Sequence, residues 1–245
     1  MSMIKDQRRS VVLSLEIEKD ISKIGFIGLG VMGHSMASHL IDAGYRIHLY
    51  NRTKSKADDL VAKGAVWEDS VKDLASACDV IITIVGFPKD VEQLYFGNEG
   101  IIDNVHEGAC IIDMTTSSPQ MACRIYEASA ERNIFSLDAP VSGGDRGARE
   151  ATLSIMVGGD RGVFEAVKPL FEVMGKNIVY QGKAGSGQHT KMANQIAIAA
   201  GMIGVAEAVA YSRKAGLDPE TVLESISSGA AGSWSLSNLA PRMIK

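Results

Sequence analysis

Cysteine is scarce in this chain, and the scarcity narrows the chemistry it can carry. Only 3 of the 245 residues are cysteine, at Cys78, Cys110 and Cys123. They leave an odd thiol and show no metal-ligand spacing, so we expect ordinary residues of a reducing compartment. The sequence therefore predicts neither a disulfide framework nor a metal site.

An excess of basic charge and long apolar runs are also missing. The formal net charge is -4, with no long basic block, which gives little electrostatic basis for binding nucleic acid. The apolar run Val11–Leu15 ends at Glu16 without a convincing cleavage site, and no stretch approaches the ~20 apolar residues of a membrane-spanning helix. We expect a cytoplasmic protein with no nucleic-acid or membrane partner.

Short apolar runs alternate with helical patterns along most of the chain. Lys23–Ile27 has the pattern of a buried strand, and a helix from Met32 to Ala43 follows it and ends at Gly44. Further strands and helices then alternate, and this predicts a Rossmann-like, doubly wound α/β fold with a mainly parallel sheet. The later predicted strands are Arg46–Tyr50, Asp79–Val85, Ala109–Asp113, Ile134–Asp138, Leu153–Val157 and Ile178–Tyr180, and the helices are Thr53–Lys63, Pro119–Arg132 and Val163–Met174.

The pattern changes to one long helix, from Gln188 to Ala215, that is apolar nearly all round. Small residues at Gly201, Gly204 and Ala208 permit close approach of another backbone along one side. We therefore expect this helix to lie between domains or between subunits, and we expect a homo-oligomer, a dimer. Asp218 caps the next helix. The predicted domains are an N-terminal extension (1–22), an NAD(P)-binding Rossmann domain (23–185) and a helical substrate and dimerisation domain (186–245).

The segment from Gly28 to Gly33 has the GxGxxG pattern of dinucleotide-binding sites. Alone the pattern is weak evidence, but here it follows a predicted strand and opens a predicted helix. Gly28 permits the tight turn, Gly30 lets a pyrophosphate approach, and Gly33 lets helix and strand pack. We therefore predict a bound dinucleotide.

The end of the second predicted strand indicates which dinucleotide is bound. NAD-selective sites usually place a carboxylate there, whereas this chain has Asn51, Arg52 and Thr53. Arg52 can bind a ribose 2′-phosphate, with Thr53 as a second donor. We expect NADP, with NAD possible. The predicted cofactor contacts are Gly28, Gly30, Val31, Met32, Gly33, Asn51, Arg52, Thr53, Val85 and Thr116.

Two further groups of residues have the chemistry of a catalytic site. Lys191 and Asn194 share a face of the long helix, and a desolvated lysine with a lowered pKa can protonate a carbonyl oxygen. Ser142, Gly143 and Gly144 can present a hydroxyl and backbone N–H groups to a substrate carboxylate. Together with the dinucleotide motif, these residues predict an oxidoreductase.

These motifs resemble the β-hydroxyacid dehydrogenase family, which includes 3-hydroxyisobutyrate dehydrogenase and the glyoxylate/succinic semialdehyde reductases. The resemblance covers nearly all of Lys23 to Lys245 and is carried by Gly25–Gly33, Asp138–Gly144 and Gly185–Asn194. It implies a Rossmann domain and an all-helical domain with the active site between them. It further implies Lys191 as the catalytic lysine, Asn194 as its polar partner, Ser142, Gly143 and Gly144 as substrate ligands, and Thr116 near the nicotinamide.

The resemblance leaves alternatives open. Family members continue through further helices, so we expect the helical domain to be incomplete here. The similar 6-phosphogluconate dehydrogenases, which oxidatively decarboxylate a sugar acid, carry a histidine at the position of Ala193. As the substrate pair we therefore favour a short β- or γ-hydroxy acid and its aldehyde or keto acid. A non-catalytic dinucleotide-binding module is the alternative from another class.

Overall fold

The computed structural model describes residues 22–245, and within them nine strands form one sheet. The predicted N-terminal extension, except for Ser22, therefore lies outside the described residues. The predicted doubly wound α/β fold is confirmed. The strands are β1 (Lys23–Ile27), β2 (Arg46–Tyr50), β3 (Val66–Trp67), β4 (Val80–Thr83), β5 (Cys110–Asp113), β6 (Phe135–Asp138), β7 (Val141–Ser142), β8 (Leu153–Gly159) and β9 (Gly175–Gly182).

The helices connect these strands or follow them. A 3₁₀ turn at Lys54–Ala57 precedes the second helix, so the helix predicted over Thr53–Lys63 is divided into two. The helices are α1 (Gly33–Asp42), α2 (Asp58–Ala62), α3 (Val71–Ala77), α4 (Pro88–Phe96), α5 (Ile101–Asn104), α6 (Pro119–Glu131), α7 (Gly144–Arg149), α8 (Arg161–Met174), α9 (Ser186–Lys214), α10 (Pro219–Ile226), α11 (Trp234–Asn238) and α12 (Ala240–Met243).

The strand order β3-β2-β1-β4-β5-β6-β8-β7, with β9 beside β8, is parallel from β3 to β6. Strands β4, β5 and β6 are buried along their whole length because helices cover both faces of the sheet. One apolar cluster includes Phe26 and Phe171, and the other includes Ile81 and Tyr95. The sheet reverses direction at β8, which runs antiparallel to β6 and β7.

The chain divides into two compact units, the first ending at Lys191 and the second running from Met192 to Lys245. Helix α9 belongs to both. In the second unit Val205 and Val209 of α9 pack with Leu223, Leu236 and Ala240 in a small core. Asp218 caps α10 by accepting a hydrogen bond from the Thr221 N–H, as the sequence predicts.

Helix α9 is the longest of the described helices, and several of its apolar side chains are exposed. By length and composition alone its 29 residues could cross a membrane. The expectation that no stretch approaches that length is therefore wrong, although core helices of soluble proteins also reach it. Ile196 and Ile203 are 67% and 62% exposed, whereas Val205 and Val209 are each 6% exposed. Only part of the apolar surface predicted for α9 is therefore exposed to solvent.

Candidate cofactor and active site

The glycine motif forms a tight turn between β1 and α1. Gly28 has φ +103°, and a Cβ atom there would overlap the carbonyl oxygen of Ile84. A Cβ on Gly33 would overlap the carbonyl oxygen of Gly28, so the start of α1 lies directly against the end of β1. A Cβ on Gly30, in contrast, would meet no atom within 4 Å. Gly30 therefore faces open space that a ligand can approach.

A cleft of about 620 Å³ opens at this turn, within the size range of small-molecule sites. Within residues 22–245 no side chain caps the start of α1. The His34 N–H donates to the Gly30 carbonyl at 3.1 Å, and the helix start presents its positive end to an anion. The residues present thus fit a dinucleotide pyrophosphate. All predicted cofactor contacts except Thr116 line the cleft: Gly28, Gly30, Val31, Met32, Gly33, Asn51, Arg52, Thr53 and Val85.

Asn51 holds the glycine turn against the end of β2. Its Oδ1 accepts a hydrogen bond from the Leu29 N–H at 3.0 Å, and its Nδ2 donates to the Thr53 carbonyl at 2.9 Å. One amide side chain therefore joins the glycine turn to the end of β2, and residues of both segments line the cleft. This second role of Asn51 was not expected from the sequence.

Asp90, in the first turn of α4, also lines the cleft, and the sequence interpretation missed it. Its Oδ1 lies 3.7 Å from a terminal nitrogen of Arg52. Its Oδ2 accepts a hydrogen bond from the Phe87 N–H at 2.9 Å, which fixes the carboxylate at the start of the helix. The Pro88-Lys89-Asp90 order, with proline at the first helical position and an acid in the first turn, is the signal that could have found it.

The predicted substrate residues lie where β7 leads into α7. Ser142 ends the strand and is half-buried, and Gly144 begins the helix. Gly143 has φ +135° and Gly144 has φ +62°, conformations that side chains rarely adopt. The turn therefore brings backbone close to solvent, as an anion site requires, and its binding role stays a prediction.

Asp138, at the end of β6, is hydrogen-bonded to the start of α9. This buried carboxylate accepts hydrogen bonds from the N–H groups of Gly185 and Gln188, each at 2.8 Å. The Gly187 N–H also faces it. Burial raises the pKa of Asp138, and these donors oppose the shift. The carboxylate thus satisfies N–H groups that a helix start leaves unpaired.

Gln188 makes a second connection from the start of α9. Its side chain is fully buried, its Oε1 accepts from the Ser117 N–H at 3.0 Å, and its Nε2 donates to the Thr115 carbonyl at 2.7 Å. These two bonds bracket Thr116, which is exposed and lies outside the cleft lining. Helix α9 is therefore joined to the loop that carries the predicted nicotinamide contact.

Lys191 lies one turn after Gln188 in α9. It is 8% exposed, and within residues 22–245 its ammonium group forms no salt bridge. Burial lowers the pKa of Lys191 below its usual value of 10.5. Asn194 belongs to the second unit, and its Nδ2 donates to the Gln195 Oε1 at 3.1 Å. The catalytic roles of both residues stay predictions.

A cluster of buried polar side chains is hydrogen-bonded to the cleft lining at Val85. Asp113 Oδ1 accepts from the Thr83 hydroxyl and from the Thr115 N–H, and Thr83 also bonds to Tyr95. Burial raises the pKa of Asp113 to about 6. The Thr115 hydroxyl in turn accepts from the Val85 N–H at 3.0 Å. This cluster therefore fixes the backbone of Val85, which lines the cleft.

The histidine and cysteine side chains form no metal site in the described part of the chain. No group of three metal-ligating side chains occurs there. His48 pairs with Glu68 at 2.7 Å and His34 with Asp59 at 3.0 Å, pairings that sequence spacing did not reveal. Burial raises the pKa of Cys78 to about 12 and that of Cys110 further. The partly buried Cys123 thiol donates to the Ala184 carbonyl at 3.5 Å.

Two protein families match the chain in succession. Residues 23–182 match the family described as the NAD binding domain of 6-phosphogluconate dehydrogenase. Residues 185–245 match the one described as NAD-binding of NADP-dependent 3-hydroxyisobutyrate dehydrogenase. The helical segment is therefore similar to 3-hydroxyisobutyrate dehydrogenase.

Individual relatives are similar over most of the chain. It is 65% identical over 222 residues to the uncharacterized oxidoreductase YkwC of Bacillus subtilis (strain 168), covering 91% of this chain and 77% of that protein. It is 44% identical over 223 residues to 2-hydroxy-3-oxopropionate reductase of Escherichia coli (strain K12), covering 91% of this chain and 76% of that protein. The solved structure of Mycobacterium tuberculosis 3-hydroxyisobutyrate dehydrogenase with L-serine gives a TM-score of 0.82 at 30% identity, covering 90% of this chain and 75% of that one.

The two bonds of Gln188 predict the effect of truncating it. Gln188→Ala leaves the Ser117 N–H and the Thr115 carbonyl unpaired in a buried place, so we expect the free energy of unfolding to fall by about 2–4 kcal/mol. Gln120→Ala, at an exposed position of α6, is the control and should change it by less than about 0.5 kcal/mol. Denaturant unfolding measures both, and equal losses would contradict the anchoring role.

Proposed function

This chain belongs to the β-hydroxyacid dehydrogenase family, and from that membership we propose that it is an NADP(H)-dependent oxidoreductase acting on a short hydroxy acid. It interconverts a β- or γ-hydroxy acid and the corresponding aldehyde or keto acid. Family membership favours this activity over a non-catalytic binding module. The match of residues 185–245 favours it over a 6-phosphogluconate dehydrogenase.

The buried Lys191 is the observation that carries the proposal. A lysine that is 8% exposed and unpaired within residues 22–245 has a pKa lowered by burial, which makes its ammonium a better proton donor near neutral pH. When bound, NADPH supplies a hydride to the substrate's carbonyl carbon. Lys191 then protonates the oxygen during reduction and removes that proton during oxidation. Asn194, in the same helix, is its proposed polar partner.

The Ser142–Gly144 turn is the proposed site for the substrate carboxylate. Gly143 and Gly144 are exposed and have positive φ angles that side chains rarely adopt, so an anion can approach the backbone N–H groups of this turn. The names of two relatives support a small acid: one is a 2-hydroxy-3-oxopropionate reductase, and the other was solved with L-serine. Thr116, between the two residues that Gln188 holds, is proposed to lie near the nicotinamide.

The role of Lys191 is tested by turnover. Lys191→Ala should lower the rate of carbonyl reduction by at least the ~10²-fold typical of losing a general acid, with NADPH binding retained. In the native protein the reduction rate should fall as pH rises through the lysine pKa, at a pH below 10.5, because the proton is then absent. Lys176→Ala, at an exposed position of β9, is the control. Near-native turnover of a folded Lys191→Ala protein would remove Lys191 from the role.

The cofactor preference is tested by binding. We propose NADPH over NADH because Arg52 and Thr53 line the cleft at the end of β2. Arg52→Ala should weaken NADPH binding by about 1.5–3 kcal/mol, the range for a hydrogen bond to a charged group, and should barely change NADH binding. Arg132→Ala, outside the cleft, should change neither. Equal losses for both cofactors, measured by fluorescence titration, would refute the assignment.

The exposed side of α9 supports a homo-oligomer, which we propose to be a dimer. Ile196 and Ile203 are mostly exposed, and a Cβ on Gly204 would meet no atom within 4 Å. Close helix contact there would bury apolar area. Light scattering coupled to size exclusion should give a dimer mass that Gly204→Arg disrupts and Ala215→Arg, at the end of the helix, does not. A monomer mass across micromolar concentrations would contradict this proposal.

A further inference from the structure

We infer that Asp90 is a second determinant of cofactor selectivity, opposing Arg52 inside the same cleft. The inference rests on the proposed nucleotide site. Both side chains line the cleft, and the Asp90 Oδ1 lies 3.7 Å from an Arg52 guanidinium nitrogen. The end of β2 has no carboxylate, but the first turn of α4 supplies one to the same place.

The two partners differ in how firmly they are held. The Asp90 side chain is 17% exposed, and its Oδ2 is fixed by the Phe87 N–H at 2.9 Å. The Arg52 side chain is 83% exposed, so it can change rotamer at little cost. A ligand in the cleft therefore meets a fixed carboxylate beside a movable guanidinium.

The charges predict opposite effects on the two cofactors. A ribose 2′-phosphate carries nearly two negative charges at neutral pH, so a phosphate that binds Arg52 also comes close to Asp90 and is repelled. The 2′-hydroxyl of NADH can donate a hydrogen bond to a carboxylate, as it does in NAD-selective Rossmann sites. Asp90 therefore weakens NADPH binding, favours NADH and gives the chain a capacity to use both.

The other charged residues that line the cleft do not pair with Arg52 within residues 22–245. Glu99 pairs with Lys72 at 3.6 Å, and Lys56 forms no salt bridge within residues 22–245. Asp90 is thus the carboxylate in the described cleft that is paired with Arg52. If Asp90 instead served only to orient Arg52 for the phosphate, its removal would weaken NADPH binding, which is the opposite sign.

The test compares dissociation constants of NADPH and NADH for Asp90→Asn. Asparagine keeps an oxygen for the Phe87 N–H while removing the charge. We expect NADPH to bind about three- to tenfold more tightly and NADH equally or less tightly, with the difference shrinking at high salt. Asp103→Asn, which removes a carboxylate paired with Arg132 outside the cleft, is the matched control and should leave the ratio unchanged. Asp90→Gln, whose uncharged amide oxygen can reach back to the Phe87 N–H from this helix position, replaces Asp90→Asn should that variant not fold.

Arg52→Ala separates this inference from the proposed function. If Arg52→Ala leaves NADPH affinity unchanged, the proposed NADP preference fails and the Asp90 inference fails with it. If Arg52→Ala weakens NADPH but Asp90→Asn does not raise the NADPH-to-NADH selectivity, only the inference on Asp90 is overturned. A gain in selectivity with Asp90→Asn supports it.

Discussion

The carboxylate of Asp138 connects the sheet to the helix that bears Lys191. It lies at the end of β6 and accepts hydrogen bonds from the backbone at Gly185 and Gln188. No side chain fits between these partners, because a Cβ on Gly158 would lie 2.8 Å from the Gly187 nitrogen. Backbone and carboxylate therefore meet directly, and the first turn of α9 has one position relative to the strand ends.

The same edge of the sheet holds a second buried carboxyl group. Asp113 and Asp138 are register partners at the ends of β5 and β6, and each has a pKa raised by burial, with the negative charge of Asp138 adding to the shift of Asp113. Their hydrogen-bond donors are N–H and hydroxyl groups, and within residues 22–245 neither carboxyl group forms a salt bridge. Asp138 thus binds the first turn of α9, and the next turn of that helix carries the buried Lys191.

Local patterns in the sequence predicted the fold and the cleft, whereas contacts between distant segments could not be predicted. The apolar runs placed β1 and β2 at their observed bounds, and the glycine motif placed the turn before α1. Helices α3 and α4 were missed because they have only 7 and 9 residues, too few turns for their apolar positions to form a clear helical pattern. The Arg52–Asp90 pair and the bonds of Gln188 join residues far apart in sequence, which spacing does not encode. The expected absence of any long apolar stretch failed at α9 because Glu207 is the one charged residue between Ile196 and Tyr211.

The position of Cys123 gives the protein a native chemical reporter. Its thiol touches the Ala184 carbonyl, and a Cβ on Gly185 would lie 3.0 Å from its sulfur, so the segment that leads into α9 shields it. The other thiols, Cys78 and Cys110, are fully buried with strongly raised pKa values and hardly react near neutral pH. Alkylation of the unmodified protein therefore reports on the partly exposed Cys123, and its rate should rise when this segment moves away from α6. A change in the contact between α6 and the segment that leads into α9 can thus be followed without an introduced label.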